Sequence, residues 1–80
     1  MSKDKHVYEN RLKMNVMTFG QILEDYDNMK AIGVRDPAIG AALLNTTPEI
    51  VDEAKYQEVF NKSSAPLQRY LRETWRKAYV

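Results

Sequence analysis

Asp36-Pro37-Ala38-Ile39-Gly40-Ala41-Ala42-Leu43-Leu44-Asn45 is the stretch that decides how this chain folds. Asp36 is a residue type that caps helices, Pro37 suits a first turn that needs no amide, and Asn45 ends the run. Between them, Ala38 to Leu44 is apolar on every side. A helix of that kind belongs in an interior, and the small side chains at 38, 40, 41 and 42 let neighbouring backbones come close. The flanking sequence is therefore expected to wrap it.

Upstream, residues 1–10 read as a polar N-terminal tail. Arg11-Leu12-Lys13-Met14-Asn15-Val16-Met17 then alternates polar and apolar residues. Period two predicts a short half-buried β-strand over 11–17, and a helix remains compatible with so brief a run. Thr18 with Gln21 has capping-box spacing, and Met17 and Ile22 stand at the staple positions around it. From Phe19 the apolar residues Ile22, Leu23, Tyr26 and Met29 recur at helical spacing, and Gly33 supplies the left-handed stop. The pattern predicts a helix over 19–32.

Downstream, Thr47-Pro48-Glu49 repeats the start signal: a cap, a proline at the first position, and an acid at the positive end of the helix dipole. A helix is predicted from 48 to about Phe60. Asn61-Lys62-Ser63-Ser64 reads as a turn, and Pro66 opens a last helix over roughly 66–79. The expected fold is mostly α, a compact domain of three to four helices over residues 11–80 with the possible N-terminal strand.

Composition bounds the rest. Eighty residues with 44% hydrophobic and 29% charged side chains fit one globular domain. A chain of this length buries only about 60–65% of its unfolded surface. There is no cysteine to staple it, so stability rests on helix packing, oligomerisation or docking into something larger. The apolar run 38–44 is far short of the ~20 residues that span a bilayer, and no apolar run follows the charged N-terminus. A soluble, cytoplasmic protein is the expectation.

The net charge of +1 conceals segregation. From Asp36 to Asn61 there are five acids and one base; from Lys62 to Val80 there are five bases and one acid. On the last helix Leu67, Leu71, Thr74, Trp75 and Ala78 share one side, while Arg69, Arg72 and Arg76 share the other. With Tyr70, Trp75 and Tyr79 this makes a basic aromatic face, and arginine and aromatic side chains dominate binding energy at desolvated contacts. Arg69, Tyr70, Arg72, Trp75, Arg76 and Tyr79 are the candidate partner-binding residues, the partner being another protein or a second copy. Antiparallel pairing of the acidic helix with the basic one offers an internal use for the same charges: Glu49, Asp52 and Glu53 against Arg72, Arg76 and Lys77.

Residues 11–44 also resemble a ribbon-helix-helix repressor. That resemblance implies a dimer whose paired N-terminal strands enter the DNA major groove. Arg11, Lys13 and Asn15 would face the bases, as side chains that suit guanine and adenine edges, with Leu12, Met14 and Val16 turned inward. The acidic 19–32 helix and Asp36, where such proteins grip phosphate, depart from the pattern. Pro37–Tyr56 resembles a helix-turn-helix in the spacing of Ala41, Leu44, Val51 and Ala54, but its second helix carries three acids and one base, a poor match to a polyanion.

Catalytic chemistry has no visible seat. His6 is the single histidine, in the polar lead, and serines occur only at 2, 63 and 64. Gly20, Gly33 and Gly40 stand alone rather than forming a phosphate loop. The sequence therefore predicts a non-enzymatic protein without cofactor or metal that works by macromolecular contact, as an assembly subunit, adaptor or inhibitor. A DNA-binding regulator reading with residues 11–17 is the alternative.

Overall fold

The computed structural model describes the backbone of residues 2–79 and the side chains of residues 5–74. Six helices follow in order among the described residues: α1 (Ser2–Met14), α2 (Phe19–Glu24), α3 (Tyr26–Ala31), α4 (Asp36–Leu44), α5 (Glu53–Lys62) and α6 (Ala65–Tyr79). The fold is mostly α.

The N-terminal expectation is corrected. Residues 2–10, read as a tail, and Arg11 to Met14, read as strand, form one helix. Its apolar stripe is thin: Leu12 is buried, Tyr8 is half-buried and its hydroxyl donates to Asp25 Oδ2 at 3.2 Å. Asn15 ends α1 in the left-handed region, φ 56°, with Asn15 N–H donating to Leu12 O and Val16 N–H to Arg11 O, both at 3.3 Å. This reciprocal pair is a Schellman stop. The alternation at 11–17 thus comes from a helix end and the loop after it.

The capping box forms as the sequence predicts. Gln21 N–H donates to Thr18 Oγ1 at 3.2 Å, and Thr18 N–H donates to Gln21 Oε1 at 2.9 Å. The helix expected over 19–32 is two short helices meeting at Asp25, across which backbone hydrogen bonds continue from Asp25 N–H to Gln21 O and from Met29 N–H to Asp25 O. Gly33 closes α3 at φ 98°, and Val34 N–H donates back to Met29 O at 2.8 Å.

Phe19, Ile22, Leu23, Tyr26 and Met29 of α2 and α3 form the centre of the core. Ile39 and Leu43 of α4, Tyr56 and Val59 of α5, and Leu67 and Leu71 of α6 close around them. Burial of each large apolar side chain contributes about 1.5–3 kcal/mol. No buried side-chain nitrogen or oxygen among the described residues lacks a hydrogen-bond partner.

Two expectations about the middle of the chain also change. The helix expected to open at Pro48 opens at Glu53, capped by Asp52, whose carboxylate accepts from Ala54 N–H at 3.4 Å. Residues 45–52 instead make a strap: Glu49 Oε1 accepts from Gly20 N–H at 2.8 Å, supplying a cap to α2 from 29 positions away. The tight turn of a helix-turn-helix is absent between α4 and α5. In α4 only Ile39, Ala42 and Leu43 are buried; Pro37, Ala38, Ala41 and Leu44 are exposed. The helix expected in the interior is covered on one side.

Candidate interaction surface

The position of α6 is set at its first turn. Ser64 N–H donates to Asp36 Oδ2 at 2.9 Å, so the acid expected to cap α4 meets the start of α6 instead. The other carboxylate oxygen accepts from Tyr26 Oη at 2.8 Å and lies 3.0 Å from Lys30 Nζ. Burial alone would raise the Asp36 pKa, but the hydrogen bonds from Tyr26, Lys30 and the Ser64 amide hold it below its ordinary value. Burial, together with the Asp36 carboxylate, pushes the Tyr26 phenol up to about 12. One acid thus joins α3, α4 and α6.

From that anchor α6 lays Leu67, Leu71 and Thr74 inward, three of the five residues expected to share that side; the side chain of Ala78 lies outside the described residues, as does that of Trp75. Tyr56 of α5 donates its hydroxyl to Leu71 O, and Thr74 Oγ1 donates to the same oxygen. Arg69 and Arg72 are exposed on the opposite side. The Arg72 guanidinium sits 5.7 Å from the centroid of the Phe60 ring, a cation–π distance. Neither arginine forms an ion pair among the described residues. Trp75, Arg76 and Tyr79 lie outside the described side chains.

Tyr70 occupies the other margin of α6. It is half-buried, its hydroxyl donates to Leu43 O at 2.8 Å, and burial raises its pKa. Beside it runs an apolar groove of about 380 Å³ between α4 and α6, lined by Pro37, Gly40, Ala41, Leu44, Pro66 and Leu67 and reaching Asp36 and Ser64 at one end.

Of the charge pairing expected between the acidic and basic helices, Arg76 and Lys77 lie outside the described side chains, and Arg72 forms no ion pair among the described residues. Glu49 caps α2 and Asp52 caps α5. The ion pairs around α5 reach back to α3 or stay within α5: Lys62 Nζ lies 2.9 Å from Asp27 Oδ1, and Lys55 Nζ lies 3.6 Å from Asp27 Oδ2 and 3.2 Å from Glu58 Oε2. The hydrogen bond from Lys62 lowers the Asp27 pKa, and Asp27 in turn raises that of Lys62.

The three residues assigned to DNA reading do not share an extended ribbon. Arg11 lies over the Tyr8 ring at 6.0 Å, Lys13 borders a cleft against α4, and Asn15 is the stop of α1. The ribbon-helix-helix reading loses its geometric basis, because a helix cannot present alternate side chains to one groove.

Sequence reasoning missed the open side of α4 and the Phe60 ring beneath Arg72. Among the described residues no group of three or more His, Cys, Asp or Glu side chains converges to hold a metal ion, and no helix is long and apolar enough to cross a membrane. No protein-family model, curated protein or solved structure matches this chain.

Proposed function

We propose that this protein acts without catalysis, by binding another macromolecule through the outward face of α6, as an assembly subunit, adaptor or inhibitor. The observation that carries this reading is the pair of exposed arginines on a helix anchored on its other side by Leu67, Leu71 and Thr74. Arg69 and Arg72 have no internal acid partner among the described residues, and Arg72 is stacked on Phe60. An arginine held by a ring loses less side-chain freedom on binding than a free one, and its guanidinium still presents donors to a carboxylate. The complementary partner is a protein surface that offers acidic groups around an apolar centre.

The test is binding of co-purifying partners to the immobilised full chain, compared with a variant carrying Arg72→Glu and Arg76→Glu. The expected result is at least a tenfold loss of the retained partner with an unchanged far-UV circular dichroism spectrum. Equal retention by both proteins overturns the assignment of this face.

A further inference from the structure

The open side of α4 is a separate surface with its own chemistry. Pro37, Ala38, Ala41 and Leu44 are exposed along it, Leu44 to 66%. On one flank lies the apolar groove against α6, about 380 Å³; on the other a cleft of about 370 Å³ separates α4 from α1. We propose that this face is the contact surface between two copies of the chain. The proposal goes beyond the reading of α6 above and uses none of its outward arginines.

Two features point to a second copy as occupant. A projecting Leu44 stands at the edge of a hollow lined by Pro37, Leu67 and Tyr70, so knob and hole occur on one face. A two-fold axis requires that kind of self-complementarity, because each partner must supply both halves of the contact.

The second feature is charge. α1 and α4 run side by side in the same direction, their ends Asn15 and Asn45 lining one cleft. Glu9 and Lys13 stand four residues apart on α1, facing Ala38, Ala41 and Asn45. Among the described residues Lys13 has no ion pair, and Glu9 meets only His6, at 3.5 Å.

A two-fold axis lying in the face and crossing α4 at right angles packs α4 against its copy antiparallel and sets α1 against the copy of α1. Glu9 of each chain then meets the partner's Lys13. A polyanion or a uniformly acidic protein finds one attractive and one repulsive charge on this wall, whereas the copy finds both satisfied. A stable interface buries ~800 Å² per partner, roughly 15% of the 5227 Å² that the chain exposes.

Sedimentation equilibrium of the full chain, from about 1 to 500 μM at low salt, tests the proposal. Wild type is expected to rise from the 9.3 kDa monomer mass to twice that value. Leu44→Glu, an exposed change, is expected to stay monomeric over the whole range with an unaltered circular dichroism spectrum, and Ala41→Arg likewise. Glu9→Lys and Lys13→Glu should each weaken the dimer about fivefold, and the double swap should restore it. A wild-type chain that is monomeric throughout overturns the proposal, as does a dimer indifferent to Leu44→Glu and Ala41→Arg. Arg72→Glu with Arg76→Glu should leave the dimer intact, so failure of the α6 reading and failure of this one are separately visible.

Discussion

Asp36 is the residue whose chemistry reaches furthest. It accepts hydrogen bonds from Tyr26 and the Ser64 amide and pairs with Lys30, so three helices depend on one ionised carboxylate. Its pKa is lowered in the folded state, so its stabilisation is complete above the unfolded value of 3.8 and is lost as pH falls below it. Tyr26 has the opposite sign: raised from 10.0 to about 12, it favours the folded state below pH 10 and that advantage is lost as pH rises between those values. Tyr26→Phe should therefore cost about 1.5–3 kcal/mol at neutral pH in urea unfolding. It should also remove the part of the alkaline decline that belongs to this phenol. An alkaline profile identical in wild type and variant would contradict the assignment. A second residue-scale outcome concerns the two helix stops. Gly33→Ala should destabilise by about 1 kcal/mol, because φ 98° strains any side chain. Asn15→Gly should be neutral or stabilising, since glycine adopts φ 56° more easily than asparagine. Thermal melts of both variants check the contrast.

At the scale of elements, what was legible depended on how locally each signal is used. The Thr18–Gln21 box spans three residues and Gly33 acts within one turn, so both could be read directly. Pro66 likewise marked the start of α6 to within a residue. Glu49 and Asp36 misled for the opposite reason. Each belongs to a helix-start signal, Asp36 as a cap and Glu49 as an acid at the dipole end, but the amide it accepts from lies 28 or 29 positions away, and only the tertiary fold decides that competition. α1 was hard to read because Tyr8 and Leu12 are the apolar residues it turns to the core among its described side chains, and two residues make no period. The outward placement of Arg69 and Arg72 was readable from spacing alone, whereas the Phe60 ring under Arg72 required α5 and α6 to pack. The strap over 45–52 yields its own expectation. Glu49→Ala removes the only side-chain acceptor for Gly20 N–H among the described residues, and should destabilise by ~1 kcal/mol. Amide exchange at Gly20 should speed up more than at Leu71 in α6; equal acceleration at both sites would mean that the contact is not local to α2.

At the scale of the whole molecule, one imbalance organises the rest. The core is centred on α2 and α3, and α4 closes it with one side of its apolar run 38–44. The sequence predicted that the chain would wrap 38–44 on all sides, but the fold covers only the side that carries Ile39, Ala42 and Leu43. The remainder is the exposed face proposed above for contact between two copies, distinct from the arginines of α6. The chain has no cysteine, so single thiols can be placed without background, and their reactivity reads cover directly. The decisive measurement is the labelling rate of Ala41→Cys and Ala42→Cys by a small thiol reagent, at about 1 μM and at several hundred μM protein. The account predicts that position 41 reacts at nearly the unfolded rate when dilute and is slowed at least tenfold when concentrated, while position 42 is protected throughout. Fast labelling at 42, or a rate at 41 that is low at both concentrations, would contradict the one-sided packing of α4.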